Sequence, residues 1–349
     1  MVSAKIDSLL QSTPDFSGVI LVASEGKEVY HKAFGFRDRD RRIELDTGDI
    51  FELASLSKQF TAMVIMMLEE QGKLNFDDSL SNYIEGLPYH GITIRHLLTH
   101  TSGLPDYQEV MDLHWDKSKI AGNVENIAYL IRYHPPQLFP AGERYAYSNT
   151  GYMLLASVAE KVAGEDFITL CRKLIFNPVK MKKTDIRTRG EKKSMRNFAL
   201  GYIFVKERGR YVAADSFPEF NYTIWLGDRK GPGRISSTSH DMLLWDQALY
   251  HDSLIHPATL KAAFSPMRLK DGSFSSYGFG WDLSEDERVG KIVSHTGDNP
   301  GYKTEIVRLI DVNKTIILLN NNAHEKKSEI MALIKNWVMN TGAEDLGDN

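Results

Sequence analysis

Stretches rich in strand-forming residues stand at opposite ends of this chain, and any fold has to bring them together. Ser17 to Phe36, SGVILVASEGKEVYHKAFGF, reads as a hairpin. Two runs of β-branched and aromatic residues flank the turn Ser24-Glu25-Gly26-Lys27. Near the other end, SYGFGWDL, KIVSHTG, YKTEIVRLID and KTIILLNNN read as four strands, and SEIMALIKNWVMN follows as a helix. Between Leu74 and Pro266 the pattern is mostly helical with long loops. Gly164 closes one helix, and Thr238 with Asp241 gives capping-box-like spacing at the start of another. The expectation is an α/β chain of the α+β type. One antiparallel sheet is built from both chain ends (1–75 and 267–349) with helices packed on it, and a mostly helical region (76–266) is inserted.

Size and charge narrow the partners. With 349 residues, 42% hydrophobic and 25% charged, the chain can bury a full core. A net charge of -4 gives no general attraction to nucleic acid or an anionic membrane, so the expected partner is a small molecule or short peptide. The longest apolar run, Ala62 to Leu68, is too short to span a bilayer. The chain as given reads as soluble, and a periplasmic or extracellular location would follow if a leader had been removed. Cys171 stands alone, which excludes an internal disulfide and reads as a packing residue. The basic run from Lys180 to Arg196 reads as a solvated loop.

Chemistry is concentrated in FELASLSKQF. Ser55 and Lys58 are three apart at the start of a helix that is apolar on almost every face until Glu69, with Gly72 as its stop. Ser24 and Lys27 share that spacing but belong to the hairpin turn. A serine hydroxyl attacks a carbonyl only when a base removes its proton, and a lysine is a base only when burial or a neighbouring cation keeps it neutral. The alternative is that Ser55 and Ser57 merely cap the helix. Two further segments bear on that choice. AYSNTGY puts Tyr147 and Asn149 directly before a helix, and VSHTGDNPGY puts His295, Thr296 and Gly297 at the end of a strand.

Ser-x-x-Lys, Tyr-x-Asn and His-Thr-Gly, in that order, resemble the three motifs of the penicillin-recognising serine hydrolases, in particular the branch of class C β-lactamases, D-alanyl-D-alanine carboxypeptidases and family esterases. RHLLTHTSGL and NPVKMKKT are similar to framework segments of the same family, so the likeness runs from about Ser17 to Trp337. The resemblance implies Ser55 as the acylated nucleophile, Lys58 and Tyr147 in proton transfer, and Asn149 bonding the substrate's amide. It places His295 and Thr296 on the opposite wall, and the oxyanion on the backbone N–H groups of Ser55 and Asp298, just past Gly297. Histidine at 295, where the β-lactamases of this branch carry lysine, is similar instead to the carboxypeptidases, D-aminopeptidases and esterases. The implied activity is hydrolysis of a D-amino-acid peptide or β-lactam through an acyl-serine, or of small esters. Slow-deacylating binders and a filament-forming relative are the non-enzymatic alternatives. The implied set needs no cofactor.

Other motifs carry less. His96 and His100 have the spacing of a zinc pair without the glutamate or a third ligand, and no G-x-S-x-G, P-loop or G-x-G-x-x-G is present. Tyr107, Tyr222 and Trp225, on segments read as loops, are candidate rim residues around a substrate.

Overall fold

The computed structural model describes residues 2–251 and 254–342. Strands β1 (Gly18–Ser24) and β2 (Lys27–Phe34) form the expected hairpin. Glu25 (φ 49°) and Gly26 (φ 74°) supply the left-handed pair that a two-residue turn of matching twist requires. With β3 (Asp282–Asp286), β4 (Gly290–Asn299), β5 (Tyr302–Leu309) and β6 (Lys314–Asn320) they make one six-stranded antiparallel sheet in the order β3-β4-β5-β6-β1-β2. The last strand from the C-terminal end therefore pairs along the whole of the first strand from the N-terminal end, Gly18 opposite Asn320 through Ser24 opposite Lys314.

Burial explains the sequence of these two central strands. Every residue of β1 and β6 is buried, so GVILVAS and KTIILLN run apolar without alternation. Val19, Leu21, Ile317 and Leu319 face one core, where helix α2 (Ser57–Glu70) lies. Ile20, Val22, Ile316 and Leu318 face the other, closed by α1 (Val2–Gln11) and, near the C-terminus, a helix over Lys327–Met339. The edge strands β2 and β3 carry charges, which discourages further strand pairing. The chain is thus an α/β protein with helices on both faces of an antiparallel sheet. Among the described residues no helix is long and apolar enough to cross a membrane.

Several expectations are corrected in detail. SYGFGWDL forms a strand only from Asp282; Tyr277 to Trp281 is a loop, because Gly278 and Gly280 are used for close approach. A Cβ on Gly278 would lie 2.0 Å from the Ala263 carbonyl oxygen, and one on Gly280 (φ 81°) would lie 3.0 Å from the Lys58 carbonyl oxygen. The helical middle also contributes two strands, Asp185–Ile186 and Ile235–Ser237, to a small sheet completed by Phe51–Glu52, with Ile235–Ser237 at its centre. The basic run is not a solvated loop throughout. It holds a helix over Arg189–Ser194, capped reciprocally by Thr188 and Glu191, and the Lys192 ammonium is buried against Glu52. Thr238 does cap α3 (Ser239–Ala248), but the Asp241 carboxylate accepts from Lys183 N–H and the Thr184 hydroxyl, so no reciprocal box forms. Cys171 is fully buried, as a packing residue should be.

A buried ion pair locks α3 onto the sheet. Arg308 of β5 and Asp246 of α3 are both fully buried, and Asp246 also accepts from the Thr315 hydroxyl. The guanidinium lies against the rings of Tyr250, Trp281 and Phe264. Removing one partner strands the other charge in a dry site. Asp246→Ala should therefore lower stability by about 3–5 kcal/mol in denaturant unfolding, and adding Arg308→Met should recover much of the loss.

Candidate active site

Ser55 sits on a turn held in an unusual conformation. Ala54, immediately before it, is buried at φ 50°, a left-handed position that costs a non-glycine residue on the order of 1–3 kcal/mol and persists only where the surroundings enforce it. β4 enforces it. Gly297 packs so closely that a Cβ there would lie 2.4 Å from the Leu53 carbonyl oxygen and 3.2 Å from the Ala54 Cβ, and the Thr304 hydroxyl donates to Leu53 O at 2.8 Å. Simple capping does not account for the serines. The residue before α2 is Leu56 and no side chain caps that end, while the Ser57 hydroxyl accepts from Ile235 N–H at 3.1 Å.

One turn on, Lys58 is fully buried and its Nζ has three neighbours. They are the Asn149 Oδ1 at 2.9 Å, the Pro232 carbonyl oxygen at 3.0 Å and the Ser55 Oγ at 3.2 Å. Burial pushes its pKa well below the ordinary lysine value and the nearby Arg229 cation pushes it the same way, against a smaller pull from Asp106. A neutral amine has two N–H bonds and one lone pair. The two carbonyl oxygens can only accept, so both N–H bonds donate to them and the lone pair is left for the Ser55 hydroxyl.

Tyr147 and Asn149 come from the start of α4 (Asn149–Ala163), where Ser148 caps the helix by accepting from Gly151 N–H. The Tyr147 ring lies 4.7 Å from Lys58 Nζ and keeps 43% of its surface exposed. Its hydroxyl faces Ser55. Burial of that end holds its pKa above the ordinary phenol range, and the neighbouring Ser55 works the other way. Behind it stands His100, fully buried in a left-handed backbone (φ 56°) among the rings of Tyr147 (4.3 Å), Tyr277 (4.6 Å), Tyr152 (5.0 Å) and Tyr145 (6.0 Å). His100 Nδ1 accepts from Ser148 N–H at 3.0 Å, which puts the ring proton on Nε2.

On the opposite side, His295 is buried and both of its ring nitrogens are engaged. Nδ1 lies 2.6 Å from the Thr296 carbonyl oxygen and must be the protonated nitrogen; Nε2 then accepts from the Tyr277 hydroxyl at 2.8 Å. Burial, with Lys58 as the next contributor, brings its pKa down to about 3, so the imidazole is neutral at physiological pH rather than partly charged. Thr296 and Asp298 are exposed, with Gly297 buried between them against the Ser55 turn.

The structure therefore brings Ser55, Lys58, Tyr147, Asn149 and the His295 to Asp298 strand end together. It does not treat the three rim candidates alike. Tyr222 is half-buried, but Tyr107 and Trp225 are core residues; Tyr107 accepts from Arg229 Nη1 at 3.1 Å and Trp225 donates to Asn221 Oδ1 at 3.2 Å. Their aromatic surface was too large to leave in water on a rim. His96 caps the helix over Ile94–Leu98, and among the described residues no group of three His, Cys, Asp or Glu side chains could hold a metal. Sequence reasoning weighed His100 only as half of a zinc pair and did not find Tyr277, Arg229 or the Pro232 carbonyl, all of which reach the site through tertiary packing.

Comparison with known proteins bears on the family and the fold. The family described as Beta-lactamase matches residues 6–335. Penicillin-binding protein 4* of Bacillus subtilis is 40% identical over 321 residues, 92% of this chain and 71% of that protein. A D-aminopeptidase of Brucella anthropi is 26% identical, covering 87% of this chain and 56% of that one. The crystal structure of a penicillin binding protein from Bacillus halodurans superposes with a TM-score of 0.81 at 27% identity, over 96% of this chain and 98% of the other. The chain belongs to the β-lactamase family of serine hydrolases.

Proposed function

We propose that this protein hydrolyses a D-amino-acid peptide or β-lactam through an acyl-Ser55 intermediate. The observation that carries the reading is the Lys58 amine, with its two N–H bonds committed to Asn149 and Pro232 and its lone pair on Ser55. The Ser55 proton passes to Lys58 as Oγ bonds to the carbonyl carbon. The oxyanion is held by the Ser55 and Asp298 N–H groups. Tyr147 gives its proton to the departing nitrogen as the carbon–nitrogen bond breaks, and is reprotonated by the proton that Lys58 took from Ser55. Water then attacks the ester, loses a proton to the same pair and releases Ser55. The relatives named penicillin-binding protein and D-aminopeptidase support a substrate of this kind.

A second reading, hydrolysis of small esters, has one observation in its favour. His295 is neutral and closed off, so that wall offers no fixed cation to a carboxylate.

Intact-protein mass spectrometry after brief exposure to a penicillin, and separately to a short-chain aryl ester, separates the two. A stable penicilloyl adduct on the wild type and none on Ser55→Ala supports the peptidase reading. Ester turnover without any β-lactam adduct or hydrolysis supports the esterase, and turnover retained in Ser55→Ala removes the nucleophile. Lys58→Met should slow acylation by about 10²–10⁴-fold with the fold intact by circular dichroism. In the wild type, kcat/KM should rise with pH through a single ionisation lying below the ordinary lysine pKa, because only the free amine accepts the Ser55 proton.

A further inference from the structure

A cavity of about 500 Å³ is walled by residues that lie close in sequence to the Ser55 turn and to the end of β4. Its walls include Glu52, three residues before Ser55, and Arg229 and Arg234, which flank the Pro232 carbonyl bonded to Lys58. They also include Lys192, and Asn299 and Pro300, directly past Asp298. Three cations in that set face one carboxylate. The remaining charged wall residues, three acidic and three basic, cancel.

The two arginines are held ready rather than consumed. Glu52 pairs with Lys192, and among the described residues neither Arg229 nor Arg234 has a carboxylate within ion-pair distance, although Glu52, with one oxygen unpartnered, acts on both at longer range. Arg229 reaches only the Tyr107 hydroxyl, and its Nε is buried without a partner. Arg234 donates to the Arg187 carbonyl at 2.9 Å and stands at φ 80°, a backbone position that glycine would occupy without strain. A guanidinium carried on a strained backbone at a cavity wall, beside another with a donor unused, is suited to receive an anion.

The cavity's place along β4 says which part of a substrate would enter it. Tyr147, the proposed proton donor to the leaving group, lies by His295, with ring centroids 6.2 Å apart. The cavity lies at the other end of that strand segment, past Asp298 at Asn299. The leaving group departs at the His295 end, so the part that stays on Ser55 extends toward the arginines. We propose that the acyl donor carries a carboxylate and that Arg229 and Arg234 bind it in this cavity; in a peptide, it would be a side-chain carboxylate on the residue that acylates Ser55. This rests on the acyl-serine reading above.

The test uses the full chain and aryl monoesters of succinate, glutarate and adipate, each against its neutral methyl-capped counterpart of equal length. Wild type should favour at least one monoanion by about tenfold in kcat/KM, the preference should weaken with added salt, and Arg234→Gly should abolish most of it through KM. Glutarate should also compete with a neutral ester in the wild type, and glutaramide should not. Neutral esters that acylate Ser55 with no monoanion preferred, or a preference that survives Arg234→Gly, would overturn the proposal and leave the acyl-serine reading standing. Failure of every ester, and of a penicillin, to acylate Ser55 would instead remove both.

Discussion

The whole site depends on keeping the Lys58 amine dry. A charged ammonium at that depth would cost several kcal/mol, and removing the water around it is what makes the amine a base. The packing that accomplishes this reaches far from Ser55. α2 is buried on nearly every face, so no side of the helix admits solvent near Lys58. Backbone is brought against it where side chains would not fit, at Gly280 beside the Lys58 carbonyl and at Gly231, where a Cβ would lie 2.1 Å from the Tyr152 carbonyl oxygen. Asn149 and Pro232 then supply the acceptors that a buried amine requires.

Charge around the site is distributed unevenly, and the unevenness is structural. At one end His100 and His295 are both buried and held neutral, each with a ring nitrogen fixed by a backbone group. At the other, Arg229 and Arg234 stay cationic with little local compensation. A neutral aromatic end and a cationic end give an extended substrate a direction. Arg229 has a second effect, since its charge also lowers the pKa of Lys58. Recognition and basicity are thereby drawn from the same guanidinium.

The parts of this arrangement legible in the sequence were those written in local pattern. β1 and β6 were readable because strands buried on both faces run apolar, and Ser55 was separable from Ser24 because one serine precedes an apolar helix and the other lies in a Gly26 turn. What escaped the reading depends on contacts between distant segments. SYGFGWDL looks like a strand until Ala263 and Lys58 are placed beside its glycines. Tyr107 and Trp225 look like rim aromatics until Arg229 and Asn221 occupy their polar ends. The charge of His295 could not be read from its type, because it is set by the depth of burial and, after that, by Lys58.

The union of the two chain ends in one sheet also imposes an order on synthesis. Leu53, next to the nucleophile's turn, and Thr304, whose hydroxyl holds it, are 251 positions apart. At ribosomal rates of about 5–20 residues per second, Ser55 leaves the ribosome on the order of 10–50 s before the strands that brace it. During that interval β1 has its hairpin partner β2 on one side and nothing on the other, an apolar edge that invites aggregation until β6 arrives. The same delay means that the strained turn, the dry lysine and the oxyanion wall come into being together, only after β4 to β6 have been made. A nascent or truncated chain would carry every residue up to Asn149 and still lack the wall that makes them a site.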